Sequence, residues 1–285
     1  MRYRPFNHSG LSTSALTLAI PAGSLREREA FKLICGALEH GINSFEVADG
    51  DEAAAGALRQ AIASVGRRVL VLMLRACGVD AGNDLAATVR AALHASDAQY
   101  FDVLMLDEAC ALGPAQLAQV EDLKTARLIR MAGLAGDGES ADRGVGLTQL
   151  DVLSIPYSFR SGWPERNRIK AATTRGMTIV GRDFHVDLVR AARGQGPRGL
   201  GRLFHKPNAQ EQQAYSFLQT TRNWTADQIG LAFALTEPAL ATVQVETTSA
   251  VLVEQLAQTV ERELPAGVAA QIELARFAAL SVPDA

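Results

Sequence analysis

The sequence predicts an α/β chain closed into a (β/α)8 barrel, and three observations carry that expectation. Short β-branched or apolar runs at 15–20, 43–47, 69–74, 102–106, 129–134, 152–155, 177–180 and 241–245 alternate with longer amphipathic stretches. Parallel strands need crossover connections of a dozen or more residues, so strands that alternate with helices point to repeated βα units. The length of 285 residues suits a single barrel, which typically takes about 250 residues. No Pro/Ser-rich linker or break in composition interrupts the alternation, so residues 1–285 are expected to form one domain.

The elements follow in order. Ser24 with Glu27 three residues later has the form of a capping box, opening a helix with Ala30, Phe31, Ile34 and Leu38 on one face. Gly41 stands where that helix would stop in the left-handed region. Helical patterns recur at 51–65, 81–96, 114–126, 164–176 and 225–236, the last opened by a second box, Thr225 with Gln228. In such a barrel the loops at the C-terminal ends of the strands carry the chemistry.

Composition narrows the function classes. Hydrophobic residues are 48% and charged residues 21% of the chain, ordinary globular usage, which argues against wholesale disorder. A net charge of −3 and an isoelectric point near 6.0 leave no basic footprint for nucleic acid or acidic membranes. The longest strictly apolar run, 69–74, is far short of the roughly 20 residues of a membrane span. No apolar signal core follows the two arginines of the opening MRYRPFNHSG. Cys35, Cys77 and Cys110 are odd in number, scattered and without a CxxC, which predicts free thiols in a reducing, cytoplasmic compartment and no metal site.

Ordered motifs then suggest a family. The opening MRYRPFNHSGLSTSALTL resembles the N-terminal hairpin and first strand of the aldo-keto reductases. ALEHGINSFEVADG, YFDVLMLD, LKTARLIRMAGLAG, LDVLSIPYS, RGMTIVGRDF and WTADQIGLAFAL resemble further segments in that family's order, through nearly the whole chain. The resemblance implies an eight-stranded barrel with an N-terminal β-hairpin and, as the usual activity, NADPH-dependent reduction of aldehydes and ketones. It also implies an aspartate, a tyrosine, a lysine and a histidine at the barrel mouth, the tyrosine giving the carbonyl its proton.

All four of those positions carry other residues here. The aspartate position is Glu46, the tyrosine position falls near Asp51, the lysine position is Arg75 and the histidine position is Asp107. No tyrosine occurs between Tyr3 and Tyr100. Around the nicotinamide, the resemblance aligns a Ser-Asn pair with Ala135 and Gly136, a glutamine with Ser154, and a ring-stacking tyrosine with Arg182. A following Ser-Pro-Leu aligns with Asp183, Phe184 and His185. After the eighth strand the run VQVETTSAVLVEQLAQ carries Glu246 and no Lys or Arg before Arg262, where the family places basic residues for the 2′-phosphate. An acidic residue there would repel a phosphate.

The mouth is therefore expected to gather Glu46, Asp49, Asp51, Arg75, Asp107, Asp183, His185 and Glu246. Carboxylates beside a His and an Arg suit general acid/base work or the holding of a hard cation, although loops are polar in any protein. An unpaired charge at the end of a buried strand is costly, so Arg75 should pair with Glu46, Asp107 or both.

Three other features stand out. GQGPRG at 194–199 matches GxGxxG but follows a helical pattern where a dinucleotide turn requires a strand. Arg190, Arg193, Arg198, Arg202 and Lys206 surround it and could hold an anion. FRSGWPERNR at 159–168 puts Trp163 among Arg160, Arg166 and Arg168, suited to a ligand or a protein partner.

Three functions stay open on this reading. The first is a non-reducing barrel, a pseudoenzyme that binds an unidentified small molecule or a protein partner, with no cofactor expected. The second is a repurposed lyase, isomerase or hydrolase that uses Glu46, Asp107 and His185. The third is a divergent NADPH-dependent oxidoreductase whose nucleotide is held through Arg182, Arg198 and Arg202.

Overall fold

The computed structural model describes residues 1–6, 10–76, 84–108, 110, 112–185 and 215–280. An antiparallel hairpin of β1 (Tyr3–Phe6) and β2 (Leu11–Ser14) leads into β3 (Leu16–Ala19) and α1 (Glu27–Glu39). β4 (Ser44–Ala48), α2 (Glu52–Val65), β5 (Val71–Ala76), α3 (Leu85–Ser96), β6 (Phe101–Asp107) and α4 (Pro114–Thr125) follow. Then come β7 (Ile129–Ala135), α5 (Gly138–Gly146), β8 (Val152–Pro156), α6 (Trp163–Thr174) and β9 (Thr178–Arg182). The described chain ends with α7 (Phe217–Thr220), α8 (Ala226–Ala234), β10 (Leu240–Glu246), α9 (Ala250–Thr259) and α10 (Val268–Leu280).

β3 to β10 form a closed parallel barrel in which β10 pairs with both β9 and β3. All eight expected strands are present within a few residues of their expected ends. The largest shift is at β5, where residues Arg67–Val69 coil into a short 3₁₀ turn and the strand begins at Val71. Alternation along each strand divides the apolar residues between two cores. Val71, Met73, Val103, Met105, Met131, Val152 and Val180 meet inside the barrel. Leu72, Leu74, Leu104, Leu106, Leu153 and Ile155 face the surrounding helices. Thr17, Ser44 and Thr242 add hydroxyl pairs to the barrel strands, Thr17 Oγ1 lying 2.8 Å from Ser44 Oγ and 2.9 Å from Thr242 Oγ1.

The hairpin supplies Phe6 to the inner core, where it is wholly buried. The Arg4 guanidinium ties the hairpin to the start of β10 by donating to the carbonyls of Leu235, Glu237 and Leu240. Both features seal the N-terminal end of the barrel and leave the C-terminal end as the accessible mouth.

Two cap expectations part ways. α8 opens with the Thr225–Gln228 box as expected, Gln228 N donating to Thr225 Oγ1 and Thr225 N to Gln228 Oε1. α1, however, starts two residues later than expected: Arg26 N donates to Glu29 Oε2 at 3.1 Å, while Ser24 Oγ turns back to the Pro21 carbonyl. Pro21 directs the chain through a turn first, so the spacing that looks like a box belongs to that turn. Gly41 does take the left-handed conformation, at φ 80°. The short, Gly-rich α5 has no counterpart among the expected helices, because three glycines in nine residues weaken the local signal. No helix among the described residues is long and apolar enough to cross a membrane.

Candidate functional site at the barrel mouth

Three adjacent strands bring a chain of charges to the mouth. Glu46 on β4 is 4% exposed. Arg75, near the end of β5, places Nη1 3.7 Å from Glu46 Oε1. On its other side Arg75 donates from Nε at 3.3 Å and from Nη2 at 3.1 Å to Asp107 Oδ2, at the end of β6. Arg75 thus pairs with both carboxylates, closely with Asp107 and loosely with Glu46. Its guanidinium is committed to the barrel wall.

Glu46 has a second partner that the sequence did not bring forward. Gln244 on β10 donates from Nε2 to Glu46 Oε1 at 2.8 Å. β3 lies between the two strands, with Ala19 in register opposite Glu246 on one side and Glu46 on the other. Gln244 itself stands opposite Thr17, so its amide reaches Glu46 diagonally across β3. The signal available in the sequence was the alternation Thr242, Gln244, Glu246, a polar residue at every second position of an otherwise apolar strand. Burial pushes the Glu46 carboxyl up from the usual glutamate range, against the opposing pull of Arg75 and the Gln244 hydrogen bond. A carboxyl in this state is a credible proton donor.

A cavity of about 170 Å³ opens over these groups, lined among others by Ile20, Glu46, Arg75, Asp107, Gln244 and Glu246. Not every expected mouth residue joins it. Asp51 serves as the N-cap of α2, accepting from Ala54 N at 3.0 Å and from Gly23 N at 3.0 Å. Asp49 and Asp51 border a separate groove of about 340 Å³ between α2 and α3. Asp183 has a left-handed backbone at φ 52° and a side chain 63% exposed, in contact with Arg182 at 2.6 Å. His185 packs its ring against Phe184 and meets Asp227 of α8, Nδ1 to Oδ1 at 3.1 Å. Neither Asp183 nor His185 lines the cavity beside Glu46.

On the far side of the mouth, β7 ends in Ala135, followed by Gly136. A Cβ added to Gly136 would come within 2.6 Å of Ser140 Oγ, so a side chain fits here only if the Ser140 hydroxyl turns away. Ser154 on β8 and Arg182 on β9 occupy the remaining positions that the resemblance associates with the nicotinamide. These described residues do not fit that group: Ala135 and Gly136 offer no side-chain hydrogen bond, and Arg182 replaces a flat aromatic face. Arg190, Arg193, Arg198, Arg202 and Lys206, with the GQGPRG run, lie outside the described residues. So does Cys77, while Cys35 is half-buried and Cys110 is buried, its Sγ donating to the Ala76 carbonyl at 3.5 Å. No cluster of three or more metal-ligating side chains occurs among the described residues.

Of the 159–168 segment, which runs into α6 at Trp163, Trp163 is 75% exposed, whereas Arg166 and Arg168 are engaged on the surface. Arg168 reaches Asp142 at 2.8 Å and Arg166 reaches Glu273 at 3.5 Å.

No protein-family model and no curated protein matches the sequence. Among solved structures, the aldo-keto reductase of Bacillus halodurans superposes in its apo form with a TM-score of 0.72 and in its holo form with 0.76. In both comparisons the identity is 19%, and 96% of each chain is covered. At that identity the likeness is one of architecture: this chain has the aldo-keto reductase fold, an eight-stranded parallel barrel with an N-terminal hairpin at its closed end.

Proposed function

We propose that this chain is a non-reducing member of its fold, a barrel that binds a small polar molecule at the mouth without nicotinamide-dependent carbonyl reduction. The observation that carries the reading is the commitment of Arg75 to Glu46 and Asp107. Carbonyl reduction in this architecture needs a phenol whose proton is made labile by a neighbouring cation. Here the cation is engaged by the Asp107 carboxylate and faces Glu46, and the residue at the tyrosine position, Asp51, is occupied with capping a helix. The absence of side-chain donors at Ala135 and Gly136 supports the same conclusion for the cofactor, and the exposed Glu246 at the end of β10 disfavours a phosphate.

The test is a titration of the purified protein with NADPH and NADH, followed by calorimetry and by nicotinamide fluorescence. The expected result is no binding up to millimolar nucleotide. Micromolar binding would overturn the reading and return the chain to the carbonyl reductases.

One observation favours a second reading, acid/base catalysis by Glu46. Its carboxyl is buried, held by Gln244 and shifted toward the protonated form, as suits a lyase, isomerase or hydrolase. Turnover that Glu46→Gln abolishes without unfolding the protein would establish it. His185 would then have to act from its place beside Asp227.

A further inference from the structure

The groove between α2 and α3 lies outside the barrel and is the larger of the two cavities, about 340 Å³ against about 170 Å³ at the mouth. Its floor is apolar and deep. Val47 of β4, Leu74 of β5 and Phe101 at the start of β6 line it, and none is more than 2% exposed. On α3 the wall is Thr88, Ala91, Ala92 and Ala95, which share one helical face at intervals of three and four residues. α2 faces them with Ala55. Methyl side chains on both helices leave the space between them unfilled. Protein interiors otherwise pack to crystal density, with few voids larger than a water molecule. A space of this size falls in the range of small-molecule sites.

One end of the groove is acidic. The chain leaves β4 through Asp49 and Gly50 and enters α2 at Asp51 and Glu52, and all four residues line the space. Asp51 is held at the rim by the bonds it accepts from Ala54 N and Gly23 N. Glu52, the first residue of α2, is exposed. Among the described residues no Lys, Arg or His lines the groove. Three carboxylates at one end of a largely apolar groove match a ligand with positive charge at one end and hydrocarbon at the other.

We propose that this groove binds a primary amine with a compact hydrocarbon body, its ammonium among Asp49, Asp51 and Glu52 and its body against Leu74 and Phe101. The ammonium gains charge-assisted hydrogen bonds from carboxylates. The body gains by leaving water in proportion to the apolar area it buries. At about 30 Å³ for each water-sized group, the space takes about ten non-hydrogen atoms. Neither Glu46 nor Arg75 lines this groove, so the site stands apart from the function proposed for the mouth.

The experiment titrates the full chain with phenylethylamine, phenylethanol, phenylacetate and ethylamine, read by calorimetry. Phenylethylamine is expected to bind, and the alcohol to bind about tenfold more weakly because it lacks the charge. Phenylacetate is repelled and ethylamine has no body to bury, so neither should give measurable heat. Ala92→Leu puts a branched side chain into the middle of the groove and should weaken the amine at least tenfold. Glu52→Gln leaves the walls intact and should weaken the amine about threefold while the alcohol is unchanged. This second variant, at an exposed position, carries the test if Ala92→Leu does not fold. Unchanged amine affinity in a folded Ala92→Leu protein would put the binding elsewhere and overturn the site. Equal affinity for the amine and the alcohol, or an equal response of both to Glu52→Gln, would overturn the ammonium assignment. Silence of all four compounds at millimolar concentration would overturn the proposal outright.

Discussion

Gln244 and Glu46 are 198 residues apart in the chain and 2.8 Å apart at the mouth, joined by an amide–carboxyl hydrogen bond across β3. The bond fixes the carboxyl facing Arg75, and Arg75 in turn leans toward Asp107. One side of the barrel mouth is thereby organised as a single polar unit, so substitutions within it should be coupled.

Glu46 makes stability depend on pH in a definite direction. Its carboxyl is raised by burial above the ordinary value of 4.5, so the folded protein holds that proton more tightly than the unfolded chain. The contribution is fully present below about 4.5 and declines as pH rises through the folded value. Glu46→Gln should flatten this decline, and its stability relative to the parent should improve from pH 4.5 upward. Urea unfolding across a pH series measures it, and parallel curves for the two proteins would refute the assignment.

Asp51 is expected to act as a helix cap. Asp51→Ala should cost about 1–2 kcal/mol by removing the acceptor for Ala54 N and Gly23 N. Asp51→Tyr should lose the same stability without gaining carbonyl reduction, because Arg75 remains bound to its two carboxylates. Chemical denaturation and a carbonyl-reduction assay on the two variants check both halves.

Gly136 is closed in by Ser140. Gly136→Ala should destabilise by about 1 kcal/mol, since the Ser140 hydroxyl at 2.6 Å must turn away and the Ser140 Cβ at 3.2 Å must give slightly. Adding Ser140→Ala removes the nearer atom and leaves the Ser140 Cβ at 3.2 Å, so the double variant should recover much of the loss. Additive losses in thermal unfolding would contradict the contact.

Asp102, fully buried near the start of β6, joins Arg67 at 2.8 Å and Arg130 at 3.2 Å and accepts from Leu72 N at 2.9 Å. The Tyr100 ring meets both guanidiniums, at 4.0 Å from Arg67 and 4.3 Å from Arg130. Removing one member of a buried ion pair strands the other, so Asp102→Ala should cost about 3–5 kcal/mol. A denaturant midpoint within error of the parent would show that the network is idle.

The strands were legible because their signal is local. Runs such as VLVLML and DVLML are apolar over a length that suits a strand buried on both faces, and the helices between them repeat at their own period. Glu46, Arg75 and Asp107 could be placed at the mouth because strand ends follow from strand positions. Gln244 was harder to see, since nothing in its neighbourhood along the chain points to Glu46. His185 looked like a companion of the mouth carboxylates by position in the sequence, yet the turn after β9 carries it to Asp227 on α8. Asp51 likewise looked like a mouth residue, and the start of α2 claimed it.

By itself, the sequence determined the alternation of strands and helices, the inward and outward series along each strand, and the residue types available at the mouth. These depend on periodicity and composition, which are properties of neighbours in the chain. Tertiary structure alone decided which of those groups meet. Closure of β10 onto β3 brought Gln244 to Glu46, and the register of β8, β9 and β10 set Ser154, Arg182 and Gln244 on neighbouring strands. Hydrogen bonds and ion pairs act over a few ångströms in space, and only the closed barrel fixes those distances.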